Sequence, residues 1–181
     1  FLESNVLGTA ILLDNAINPS LLYGFTVAGE FRFYWGQPPL EHSLPSVPGI
    51  ERLWPCLPWA LRNFYTSVHN GWTCFHVPMN SMGPLPLQNC FFLSEERLDI
   101  TDAMATALPF NPSEVLAVFS NGMGDYLCLD TNSLSPNNTA KGVIWWHEKP
   151  MQPWVDLDFW TVMGEWMSIY LETADSMNSE Q

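Results

Sequence analysis

Phe119-Ser-Asn-Gly-Met-Gly-Asp-Tyr-Leu-Cys-Leu-Asp130 and, further on, Gly142-Val-Ile-Trp-Trp-His-Glu148 read as three short strands in succession. Residues 116–119 are apolar. Asn121-Gly122 accepts positive φ at low cost, which suits a tight hairpin turn. Residues 126–129 form a second apolar run that ends at Asp130. A connection rich in Asn, Ser and Pro covers 131–141, and a third apolar run covers 143–146. Apolar runs and turn signals at this spacing predict an antiparallel meander.

Helical signals flank the meander. Residues 50–53 fit a short helix stopped by Pro55. Residues 58–68 fit a better one, with Pro58 at the first helical position, where no amide donor is needed. Leu61, Phe64, Tyr65 and Val68 then share one face, and Asn70-Gly71 offers a left-handed stop. Residues 73–77 read as a strand, 78–86 as an irregular loop, and 89–93 as a strand or helix entry. Residues 94–102 read as an acidic helical turn capped by Ser94. Residues 108–112, with two prolines, break the chain before the meander. A closing helix is expected over about 156–171, capped by Asp156 or Asp158. Phe159, Trp160, Met163, Trp166, Met167 and Tyr170 form its apolar stripe. Residues 1–47 hold apolar stretches, an alternating Glu30-Phe-Arg-Phe-Tyr-Trp35 segment and heavy proline punctuation. They are expected to be an N-terminal extension or an extra layer of the same domain. Residues 174–181 form a polar tail.

Composition narrows the function. The 181 residues include 47% apolar side chains, so a self-sufficient core is expected and wholesale disorder is not. No apolar run approaches the roughly 20 residues needed to span a bilayer. Net charge is −13. Residues 1–90 hold five acids and three bases, whereas residues 91–181 hold fourteen acids and three bases. Such a surface repels nucleic acid and anionic membranes and attracts a basic partner. It also keeps a chain with nine tryptophans soluble. Cys56, Cys74, Cys90 and Cys128 show no paired spacing and read as reduced, mostly buried thiols of a cytoplasmic protein.

Catalytic chemistry is thinly represented. Cys74 and His76 would share a strand face, but zinc takes four ligands, and Cys90 and His69 could join them only by tertiary accident. A buried Cys beside a hydrogen-bonded His is the simpler reading. Asp125 and Asp130 sit five residues apart at the two ends of a strand, so opposite faces are expected, and turn chemistry explains them more simply than acid–base work. His147-Glu148 fits a base with its orienting partner, yet no activated nucleophile or phosphate loop accompanies it. An exposed pair at a strand end is the plainer alternative. Most tryptophans are expected in the core. Trp145 and Trp146 are adjacent on a strand and must face opposite ways, which leaves one of them for solvent or a partner. Glu95, Glu96, Asp99 and Asp102 form an acidic cluster that is either a solvated face or a docking surface.

Several blocks resemble the SUKH superfamily of Smi/Knr-like bacterial immunity proteins. Ile50-Glu51, Leu57-Pro58, Phe64-Tyr65 and Asn70-Gly71 look like its opening helices and their stop. Gly124-Asp125, Leu129-Asp130 and residues 142–148 look like its central strands, and residues 159–171 like its closing helix. The resemblance covers about 48–171. Trp54-Pro55 replaces the usual small turn before Leu57-Pro58. It implies an α+β fold, a twisted, mostly antiparallel sheet built on the central meander, with helices packed on one side, over a domain of residues 48–173. It also implies a stoichiometric inhibitor that binds a cognate protein toxin, basic and acting on nucleic acid, and blocks its active site. No catalytic residue, metal or cofactor is expected, and neither nucleic acid nor membrane is an expected partner. The candidate partner-binding residues are Trp72, Glu95, Glu96, Asp99, Asp102, Asp125, Asp130 and Trp146. A scaffold or regulatory module of the same fold is the alternative. A small hydrolase using His147, Glu148 and an aspartate is a third reading.

Overall fold

The computed structural model describes residues 11–13, 20–27 and 30–36 through their backbone, and 39–40, 49–68, 70–71, 83–95, 98–133 and 140–166 in full. Trp72, Glu96, His69, Cys74, His76, the 73–77 strand, Met167, Tyr170 and the 174–181 tail lie outside the described residues. Three N-terminal strands, β1 (Ile11–Leu13), β2 (Ser20–Val27) and β3 (Glu30–Gly36), form an antiparallel sheet in the order β1-β2-β3.

The main sheet is antiparallel and has six strands. These are β4 (Gly83–Pro84), β5 (Phe91–Phe92), β6 (Val115–Ser120), β7 (Tyr126–Asp130), β8 (Lys141–Trp145) and β9 (Trp154–Asp158). The path runs β4-β6-β7-β8-β9, and β5 also pairs with β6. The expected meander is therefore its centre. The described residues include four α-helices, α1 (Ile50–Leu53), α2 (Trp59–Asn63), α3 (Asp102–Ala107) and, after the last strand, α4 over 159–166. Pro58 is the cap of α2 rather than its first residue, and a π-helical segment, Phe64–Val68, continues the helix. The chain is α+β, with helices packed on an antiparallel sheet.

Strand alternation sorts the apolar side chains into two cores. Leu116, Val118, Phe119, Leu127, Leu129 and Ile144 meet the helices through Ile50, Leu61, Phe64 and Phe159. Val115, Ala117, Cys128, Val143 and Trp145 face the other way, with Phe91, Leu93 and Leu108. That second face is covered by the 93–110 segment, where Met104 of α3 and Phe110 pack. Two irregularities adjust the sorting. Register slips between Ala117 and Phe119, and both Val118 and Phe119 then reach the helix-side core. Register also slips between Gly142 and Ile144, opposite Asp156 at φ 57°. Val155 and Leu157 consequently pack on opposite faces.

Three local expectations need correcting. Asp156 neither caps nor starts the last helix: it lies within β9, in the left-handed conformation that Asp tolerates, and its carboxylate pairs with Lys141. Asp158 is the cap, its Oδ1 accepting the Thr161 N–H at 2.7 Å. The described helix in the acidic region starts at Asp102, with Thr101 as its cap, because the Thr101 hydroxyl reaches the Met104 N–H. Ser94 sits in a turn, and its N–H donates to the Pro112 carbonyl.

Buried polar groups make stability depend on alkali. Burial pushes the Tyr65 phenol well above its ordinary 10.0, with Cys90 beside it adding to the effect. Burial pushes the Cys128 thiol above 9.0, again with a contribution from Cys90. The unfolded chain loses these protons near pH 9 and 10, while the folded chain keeps them. Folded protein therefore holds more protons in that range. Its stability is whole below about pH 9 and falls as pH rises, by about 1.4 kcal/mol per pH unit for each group. Urea midpoints at pH 8, 9.5 and 10.5 should fall in that order, and Tyr65→Phe should flatten the decline above pH 10. An unchanged decline in the variant would remove Tyr65 from the account.

Candidate functional site

The β6–β7 turn and the β8–β9 connection lie at the same end of the sheet. The first is a five-residue loop, Asn121 to Asp125, and not a two-residue turn at Asn121-Gly122. The positive φ values belong to Gly122 (77°) and Gly124 (99°). Asn121 organises the loop. Its N–H donates to the Asp125 carbonyl, and its Oδ1 accepts from the N–H groups of Met123 (2.8 Å) and Asp125 (3.0 Å). Its amide Nδ2 donates to Asp125 Oδ2 at 2.6 Å. The Ser120 hydroxyl accepts the Gly122 N–H. These bonds satisfy loop amides that a two-residue turn would not contain.

Asp125 then ties the two connections together. Its Oδ1 accepts the His147 backbone N–H at 2.9 Å and lies 2.7 Å from His147 Nδ1. A Cβ on residue 124 would lie 3.1 Å from the His147 ring, so glycine there leaves room for the imidazole to pack. The connection continues as two turns, with Lys149 N–H donating to Trp146 O and Gln152 N–H to Lys149 O. Between them lies an open cleft of about 530 Å³ lined by Asp125, Trp146, His147, Glu148, Lys149, Gln152, Pro153 and Trp154.

An aromatic ladder supports this cleft. Phe119, wholly buried, meets Trp166 edge-on at 5.7 Å between ring centres. Trp166 lies 6.4 Å from Trp146, and Trp146 meets Trp154 edge-on at 5.2 Å. Each ring in the series is fixed by the one below it. The outermost, Trp154, is 58% exposed.

The expected site residues separate into groups. Asp125 and Trp146 both line the cleft. Asp130 is at the far end of β7, where its Oδ1 accepts the Asn132 N–H. Glu95 pairs with Arg52 at 2.7 Å and also accepts the Phe92 N–H. Asp99 is exposed at φ 52°, and Asp102 is exposed at the start of α3, beside a shallow depression with Thr106 and Phe110. Most of the described tryptophans pack with the cores, as expected, Trp54, Trp146, Trp160 and Trp166 against the helix-side core and Trp145 in the other. Trp145 is buried and Trp146 half-buried on the opposite, helix-side face, while Trp154 and Trp59 are exposed. Trp154 and Met123, which is 69% exposed, were not singled out by the sequence. Among the described cysteines, Cys90 and Cys128 are buried free thiols and Cys56 is half-buried.

The His147–Glu148 pairing is also revised. The orienting carboxylate is Asp125, whereas Glu148 Oε1 stands 4.0 Å from Nε2. A hydrolase would need a nucleophile at that imidazole, and none of the described residues lining the cleft carries a hydroxyl or thiol. Among the described residues no group of three or more His, Cys, Asp or Glu side chains is placed to hold a metal ion, and no helix is long and apolar enough to cross a membrane.

The sheet end thus presents an open cleft lined by two tryptophans, a histidine and charged side chains. The model of the SMI1/KNR4 family (SUKH-1) matches residues 49–175, and the chain belongs to that family. Members of the family are generally immunity proteins to polymorphic toxins, and membership suggests a non-enzymatic role and a toxin partner. No curated protein and no solved structure matches the chain.

Proposed function

We propose that this chain neutralises one cognate toxin by binding it stoichiometrically and occluding its active site. The family match over residues 49–175 is the observation that carries this reading. The toxin is basic and acts on nucleic acid, a nuclease in the simplest case. An enzyme that handles phosphates presents cationic side chains, and a chain of net charge −13 is complementary to such a groove. The inhibitor acts in the cytoplasm and turns over no substrate. Residues 48–173 carry the inhibition, residues 1–47 extend the domain or add a layer, and 174–181 form a tail.

The interface draws on Trp146 and Asp125 at the cleft and on the acids Glu95, Asp99 and Asp102, with Trp72, Glu96 and Asp130 as further candidates. Exposed acids at its rim should act mainly on the association rate and lose their effect as salt rises. Co-expression of this chain should rescue the growth of cells that express its cognate toxin. Association measured between 50 and 500 mM salt should slow by about tenfold or more, as expected for steered encounters. Unrelieved toxicity would end the reading, and a rate indifferent to salt would remove the acidic surface from it.

A further inference from the structure

We infer that the Trp146–Trp154 cleft receives an arginine side chain of the partner protein, its guanidinium stacked on Trp154 and hydrogen-bonded to Glu148. The inference rests on the reading of the chain as a toxin inhibitor and names the chemistry of the contact. Three observations converge on this occupant. Trp154 is 58% exposed, yet its indole is held by Trp146 and, through Trp166, by buried Phe119. An exposed aromatic that is already fixed loses little freedom on binding and makes a good anchor. Glu148, whose side chain is 81% exposed, lines the same cleft, with its Oε1 4.0 Å from His147 Nε2. Asp125 is already engaged by His147 and Asn121, so Glu148 is the carboxylate left for a ligand.

Charge selects among occupants. A second copy of this chain and a nucleic acid are both anionic and would be repelled by a net −13. Lys149 is the one lysine or arginine among the described lining residues, and it is offset by Asp125 and Glu148. A cation is therefore favoured. Arginine suits the site better than lysine, because a planar guanidinium can lie on an indole face while its N–H fork meets a carboxylate.

The test uses a glycine–serine peptide carrying three arginines and the same peptide with citrulline in their place. Indole N–H signals of the full chain are followed by NMR during titration. The arginine peptide should shift the Trp154 and Trp146 signals saturably and leave Trp59, which is 69% exposed, unmoved. The citrulline peptide should leave all three signals unmoved. Trp154→Ala and, independently, Glu148→Gln should each weaken binding at least fivefold. Equal response to citrulline, equal shifts at Trp59, no response at Trp154, or undiminished binding by E148Q would each overturn the inference. Toxin neutralisation by a chain whose Trp154 ignores arginine would discard this contact and keep the inhibitor. An arginine-specific response in a chain that neutralises no toxin would keep the contact and discard the inhibitor.

Discussion

Gly71→Ala should destabilise the chain by more than about 2 kcal/mol, because strain at a special φ and steric overlap act together. Gly71 has φ 75°, where any Cβ is strained. A Cβ there would also lie 2.4 Å from Pro86 N, 2.7 Å from the Leu85 carbonyl carbon and 2.8 Å from Pro84 O. All three are backbone atoms and have no rotamer with which to retreat. The same corner is fastened on both sides. Buried Asn70 accepts the Leu87 N–H at 2.8 Å and donates to Gln88 Oε1 at 3.0 Å, while the Tyr65 hydroxyl donates to Leu85 O. A shift of 84–86 to admit the methyl would therefore pull on the end of the helical segment that carries Tyr65. Urea denaturation of the variant measures the cost. A loss under about 0.5 kcal/mol, the range of neutral surface changes, would mean that the two segments do not meet as described.

Trp145→Ala should cost about 3–5 kcal/mol, the range for deleting a buried aromatic. Trp145 is 2% exposed and fills the second core with Leu93, Leu108, Val115 and Val143. Its removal leaves a cavity between the sheet and the 93–110 segment, and that segment cannot collapse freely because Leu93 N–H donates to Val115 O at its start. Trp154→Ala deletes a ring of the same size from an exposed position and should cost less than about 1 kcal/mol. Thermal unfolding of the two variants side by side checks the contrast. Similar losses would contradict the assignment of Trp145 to a core and Trp154 to the surface.

The parts of the fold legible in the sequence are those where local chemistry and tertiary structure agree. Residues 116–119, 126–129 and 143–146 alternate within apolar runs that a buried sheet requires, and all three strands are present. Asn70-Gly71 marked a left-handed corner that only tertiary packing explains in full. The β9 strand was missed because Asp156 and Asp158 resemble helix caps. Yet Trp154-Val-Asp-Leu-Asp158 alternates with period two, and that signal could have identified it. The bulge at Asp156 was not legible, since it depends on pairing with β8.

The candidate site was legible in pieces. Asp125, Trp146, His147 and Glu148 each stand out by residue type, but the bond joining Asp125 to His147 spans 22 positions and needs the sheet register to bring two turns together. Glu148 follows His147 in the chain, and sequence adjacency made it look like the orienting partner. The exposure of Trp154 is not legible, because it follows from the position of β9 at the sheet end, which composition cannot convey. The acids Glu95, Asp99 and Asp102 read correctly as charge, but their local duties, such as the Arg52–Glu95 pair, appear only in three dimensions.

The most direct measurement is an activity titration of the proposed cognate toxin, run at toxin concentrations well above the dissociation constant. Inhibition by covering an active site predicts a straight decline of toxin activity that reaches zero at one molar equivalent of this chain, with no product released by the chain itself. A plateau of activity beyond one equivalent, or multiple turnover of any substrate by the pure polypeptide, would contradict the account.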